Sequence, residues 1–211
     1  MTAYGHAVDS RVSFGEHRLP ARYDRPRRGS FLAAYFPSLV MLDETSFAKN
    51  PESRWTHKLC MNVTLESPKK PEVAALIAEL DAYQDTLYPA EARYALDLDA
   101  LALPSVLFAV ARDSDGIPKE CGAIVINDDY GELKRMYVRP EARGVGTAQQ
   151  IIEFLESAAR MLGCETVLLE MGPHSPQALA FYTKQGYARC GPHGEYPDHP
   201  LSVFMRKRIA P

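Results

Sequence analysis

Along residues 71–87 the apolar side chains Val73, Leu76, Ile77, Leu80, Tyr83 and Leu87 recur at intervals of three and four, the spacing that lines one face of an α-helix. The period returns over 149–162, where Ile151, Leu155, Ala158 and Leu162 share a face and Gly163 follows the last turn. A shorter helix is expected over 96–103. Residues 105–112 and 121–127 are instead compact apolar runs on either side of Asp113-Ser114-Asp115-Gly116-Ile117-Pro118, a turn composition that predicts a hairpin. Strands are expected at 61–66, 133–138, 166–171, 187–191 and 201–208. A last helix over 176–185 has Ser175 as a candidate N-cap, Pro176 in its first turn and Gly186 to end it in a left-handed residue. The predicted order is β-α-α-β-β-β-α-β-α-β-β, without internal repeats.

Residues 1–60 show no such period, and the stretch 18–28 is rich in Pro and Arg. A poorly ordered N-terminal extension is expected there, with the folded domain spanning 61–211. Within the extension 31–42 is moderately apolar, with Phe31, Leu32, Tyr35, Phe36, Leu39 and Val40. It is a candidate to dock on the domain or on a second copy in a homodimer.

Charge narrows the partners. The chain carries a formal −3, and residues 61–211 are the acidic portion, with fifteen Lys or Arg against twenty-one Asp or Glu. That disfavours nucleic acid and suits a cationic small molecule. No apolar run approaches membrane-span length, and the first residues lack a basic segment followed by an apolar core, so a cytoplasmic protein with no membrane partner is expected. Cys60, Cys121, Cys164 and Cys190 form no C-x-x-C pair and have no histidine at zinc-ligand spacing, so no metal site is expected.

The most informative segment is 132–148, where a strand runs through a glycine-containing loop into a helix. Gly144 and Gly146 allow backbone N–H groups to converge, and the free amides at the helix start attract a diphosphate. A nucleotide-like cofactor follows. The loop is not a P-loop and lacks the three glycines of the dinucleotide fingerprint. It fits the form [Gln or Arg]-x-x-Gly-x-[Gly or Ala] as Arg143, Gly146 and Ala148, and downstream Tyr182-Thr183-Lys184-Gln185-Gly186-Tyr187 ends a helix as Tyr-x-x-x-Gly-aromatic. In these two motifs and their order the chain resembles the GNAT superfamily of acetyl-CoA-dependent N-acetyltransferases. The resemblance implies an α/β (α+β) fold with a mixed sheet of about seven strands, splayed between strands four and five, and about four helices.

It also implies roles. The pantetheine arm of acetyl-CoA would pair with the main chain of Met136 and Val138, and the amides of Arg143, Gly144, Val145, Gly146, Thr147 and Ala148 would hold its diphosphate. Ser175, where many members have Asn, would contact the pantetheine. Tyr182 is at the general-acid position, able to protonate the departing thiolate, and Glu132 is at the position of the base in some members, where others use a water relay. Glu170 is an alternative base or substrate anchor. The loops expected to select the substrate carry Glu91 and Asp198 among other acids. The expected reaction is direct attack of a primary amine, on a small cationic molecule, upon acetyl-CoA in a ternary complex. A protein lysine or N-terminal acetyltransferase and a non-catalytic acyl-CoA-binding module are the alternatives.

Overall fold

A computed structural model describes residues 61–89, 94–144 and 146–210. The expected N-terminal extension lies outside the described residues. Seven strands form one sheet in the order β1-β2-β3-β4-β5-β7-β6: β1 (Asn62–Leu65), β2 (Val106–Arg112), β3 (Pro118–Ile126), β4 (Gly131–Val138), β5 (Thr166–Met171), β6 (Ala188–Arg189) and β7 (Val203–Arg208). The helices are α1 (Pro71–Asp85), α2 (Leu98–Leu101), α3 (Thr147–Met161) and α4 (Pro176–Lys184), with a 3-10 turn at Pro140–Ala142. This is the expected mixed seven-strand architecture.

Two amphipathic helices account for its layering. The apolar face of α1 (Val73, Leu76, Ile77, Leu80) is buried against Phe108, Val110, Cys121, Ala123 and Tyr137. From the opposite side of the sheet, Ile151, Ile152, Leu155 and Ala159 of α3 cover Leu107, Ala109, Ala111, Ile124 and Leu133. Each such fully buried aliphatic side chain contributes on the order of 1.5–3 kcal/mol. Two helices, α3 and α4, end at left-handed glycines, Gly163 and Gly186. After α4, Gly186 has φ +89°, Gly186 N–H donates to Thr183 O and Tyr187 N–H to Tyr182 O, both at 3.0 Å, a Schellman closure.

Some boundaries differ from the expected ones. The helix expected over 96–103 contracts to Leu98–Leu101, capped by Asp97, whose Oδ1 accepts from Ala100 N–H at 2.7 Å. Pro104 disfavours helical geometry in the residue before it, which limits the C-terminal end. The strand over 187–191 is reduced to the two-residue edge Ala188–Arg189, paired only with β7.

What positions the site is the course of β4. It pairs with β5 in parallel only from Gly131 to Leu133 (Gly131↔Val167, Glu132↔Leu168, Leu133↔Leu169), and beyond that the two strands part. At the parting β4 carries a bulge. Its register against β3 slips between Cys121 and Ala123, and Arg135 has φ +56°. An arginine there is held by long-range contacts: its guanidinium donates to the Asp81 carboxylate of α1 and to the Leu96 carbonyl.

Candidate active site

The glycine loop opens α3 at the parted end of β4. Gly144 and Gly146 have φ +81° and +87°, and a β-carbon on either would meet no atom within 4 Å. The requirement for glycine is therefore conformational, and the space beside the loop is open. No side chain caps the first turn of α3, and no acidic residue lies in it. Its N–H groups and partial positive charge are left for an anion. The Thr147 hydroxyl turns inward and donates to Ala142 O at 3.3 Å, tying the 3-10 turn to the helix start. Val145 lies outside the described residues.

Arg143 folds back: its Nε donates to Val138 O at 3.0 Å and its guanidinium lies 5.8 Å from the Tyr83 ring centroid. Its side chain thus engages the main chain of β4, where Val138 is expected to meet the cofactor. Met136 packs its side chain toward α3, and a β-carbon on Gly122 would collide with its sulfur. The missing side chain at 122 thus leaves the space that Met136 fills.

Tyr182 projects from α4 into the α3 side of the core, 5.8 Å from the Tyr187 ring and 5.4 Å from that of Phe181. As a residue it is half-buried, but its hydroxyl lies deep, and desolvation, reinforced by the nearby Glu120 charge, holds the phenol well above its ordinary pKa. Ser175 occupies the N-cap position of α4 without a capping hydrogen bond, contrary to the cap expected from sequence. Its φ/ψ of −116°/74° keeps it off the usual cap geometry, and its hydroxyl is left for other partners.

On the opposite face of β4, Glu132 is 8% exposed and belongs to a network. The Tyr196 hydroxyl donates to Glu132 Oε1 at 2.6 Å, and Lys134 Nζ lies 2.9 Å from the same oxygen. Lys134 also bonds the Tyr196 hydroxyl and the Tyr94 carbonyl. His193 Nε2 is 3.7 Å from Glu132 Oε1, an electrostatic neighbour beyond hydrogen-bond length, with its ring against Tyr130, Tyr196 and Phe204. Burial alone would raise the Glu132 pKa, but His193, Lys134 and Tyr196 outweigh it and hold it down at about 2. Glu170, two residues beyond the β5 partner of Glu132, behaves oppositely: desolvation raises its pKa against the opposing hydrogen bond of Ser202.

The structure thus puts the glycine loop and Tyr182 on the α3 side of β4, and Glu132 and Glu170 on neighbouring strands at its other face. Asp198 is exposed on the 190–202 connection, whose inward residues are instead His193 and Tyr196. Glu91 lies outside the described residues. Lys134 and Tyr196 carry no local signal for a site, because they meet across 62 positions of chain. Among the described residues no group of three or more His, Cys, Asp or Glu is placed to hold a metal, and no helix is long and apolar enough to cross a membrane.

A strand that parts from its parallel neighbour beside a left-handed glycine loop and a helix start is the core of an acetyltransferase fold. The chain belongs to the GNAT superfamily of acetyltransferases: residues 104–189 match the model of the acetyltransferase (GNAT) domain. Over 152 residues, 70% of this chain and 99% of the other, it is 47% identical to the IAA acetyltransferase of Azospirillum brasilense. A candidate acyl-CoA N-acyltransferase from Klebsiella pneumoniae superposes with a TM-score of 0.62 at 36% identity, covering 72% of this chain and 99% of that one. The PaiA N-acetyltransferase of Thermoplasma acidophilum, solved with coenzyme A, shares the fold at TM-score 0.55 and 15% identity, over 70% of this chain and 98% of its own.

Proposed function

We propose that the protein transfers the acetyl group of acetyl-CoA to a primary amine of a small molecule by direct attack within a ternary complex. The observation that carries this reading is the parting of β4 from β5 after Leu133, beside the uncapped start of α3 and its two left-handed glycines. The freed main chain of Met136 and Val138 pairs with the pantetheine arm, the amides of residues 143–148 hold the diphosphate, and Ser175 contacts the arm from α4. Val138 O can accept a second hydrogen bond from the arm while Arg143 Nε keeps its own, and the other guanidinium N–H groups lie near the phosphates. Coenzyme A in the Thermoplasma relative supports the cofactor.

Tyr182 acts as the general acid. Its raised pKa keeps the phenol protonated until the tetrahedral intermediate collapses and the thiolate leaves. Between the two carboxylates, Glu170 is the better base, because desolvation raises its proton affinity, while Lys134, Tyr196 and His193 suppress that of Glu132. Glu132 then anchors the amine as a fixed anion, and Glu170 takes the proton directly or through water. The A. brasilense relative, with its near-complete coverage, supports a small-molecule acceptor. Release of free coenzyme A thiol, followed with acetyl-CoA and a panel of small amines, tests the reading. Amine-dependent thiol release is expected, and none with any member of a broad panel would overturn it.

A further inference from the structure

Glu120 is anomalous. It is wholly buried, and neither carboxylate oxygen has a hydrogen-bond partner. On β3 it pairs with Val138 of β4 and Ala111 of β2, and its side chain shares the α3 face with Gly122 and Ile124. Each element packed around it offers little to balance a charge. Ala111 and Val138 are apolar. From α3 comes Thr147, the first residue of the helix, whose hydroxyl is directed to Ala142 O. From α4 comes the neutral phenol of Tyr182, whose proton a charge on Glu120 would hold more tightly. On its own strand Lys119 points away to Asp113 and Glu141, and Cys121 faces the opposite layer. An uncompensated buried carboxylate is costly when ionised, so burial pushes the Glu120 pKa up to about 7, with Thr147 opposing only in part.

Nothing in acetyl transfer as described uses this group, yet it lies under the helix start that the diphosphate would occupy. We propose that Glu120 is a positioning residue of the cofactor site, holding a proton whenever the diphosphate is bound, so that acetyl-CoA binding draws a proton from solvent into the core. The inference rests on the cofactor reading above. An ionised Glu120 and a diphosphate on the amides of residues 143–148 would face each other through a dry interior, where like charges are poorly screened. Binding therefore favours the neutral acid, and by linkage the neutral acid favours binding. The sign follows: affinity is greatest where Glu120 is already protonated, falls as pH rises past its value in the free protein, and levels off above its higher value in the complex. The neutral acid also leaves Tyr182 without an adjacent anion, easing donation of its proton to the thiolate.

The test is calorimetric titration of the full chain with acetyl-CoA at about pH 8, in buffers of differing ionisation enthalpy. Uptake on the order of half a proton per site is expected, beyond that in Glu120→Gln, which removes the ligand's own titration by difference. Between about pH 6 and pH 9 wild-type affinity should fall on the order of tenfold relative to the Gln variant. Equal uptake in the two proteins overturns the inference. Should the variant not fold, difference infrared spectra of the wild type decide: a gained protonated-carboxyl band on binding is expected, and its absence overturns the proposal. Failure of the wild type to bind acetyl-CoA, or undiminished binding by Gly146→Glu, would instead sink the cofactor reading.

Discussion

The ring of Tyr88 rests on the backbone of Gly172, and the Tyr88 hydroxyl accepts a hydrogen bond from His174 N–H at 3.1 Å. A β-carbon at 172 would overlap the Tyr88 ring, so the connection after α1 is pinned over the end of β5 because position 172 has no side chain. Gly172→Ala must push Tyr88 and its connection outward. The expected cost is ~1–3 kcal/mol of stability, the usual scale of overpacking, with a rise in the KM for the amine and little change in acetyl-CoA affinity. Thermal denaturation together with steady-state kinetics checks this, and an unchanged amine KM would place the contact outside the acceptor path.

At Gly146 the same substitution acts differently, because space is open and only φ resists. Gly146→Ala should weaken acetyl-CoA binding by on the order of tenfold, as an L-residue in the left-handed region costs ~1–2 kcal/mol. Gly146→Glu, which adds a negative charge beside the diphosphate, should weaken it far more. Direct titration of both folded variants with acetyl-CoA gives the ranking, and equal affinities in the two would contradict it.

Tyr182→Phe removes only a hydroxyl from a half-buried ring. Turnover should drop by about 10²-fold or more while acetyl-CoA affinity stays close to wild type, the split expected for a lost general acid. Wild-type turnover with a lowered melting temperature would mean that the phenol merely packs.

Acid stability should depend on Glu66. Arg112 donates to both of its carboxylate oxygens, at 2.7 and 2.8 Å, and with Lys70 holds its pKa down at about 2 against the desolvation that would raise it. A lowered folded-state pKa contributes stability that is present above the ordinary value near 4.5 and lost as pH falls toward about 2. Arg112→Met should lower stability most near neutrality, where the linked contribution is fully present, and progressively less as pH falls toward about 2, which moves the acid-unfolding midpoint to higher pH. Acid titration followed by circular dichroism reads the midpoint directly.

The alternating elements of this fold were legible because their signals are local. Val73 to Leu80 declare a helix face by spacing, Gly186 declares its helix end by following the last turn, and Gly144 and Gly146 mark the left-handed turn before α3. The network around Glu132 was not legible, because Lys134 and Tyr196 are brought together by the sheet and by the long connection before β7. The bulge at Arg135 was hidden for a related reason. No glycine marks it, and the left-handed backbone depends on Asp81 and the Leu96 carbonyl, 54 and 39 positions away. Glu120 defeats pattern reading altogether, since a charged residue at the start of a strand reads as solvent-facing.

The bulge at Arg135 also sets a parity. In a regular strand residues 134 and 136 would share a face, yet Lys134, opposite Ala123, lies on the α1 side and Met136 on the α3 side. One inserted residue thus puts Lys134 and Tyr137, three positions apart, on the same side of the sheet. A single-residue deletion at 135 would leave Lys134 and Tyr137 two positions apart and still on that side, so the layering survives while the left-handed residue and its ties to Asp81 and the Leu96 carbonyl are lost. Loss of residue 135 is therefore expected to spare the packing of the two layers and to change the course of β4 where it leaves β5.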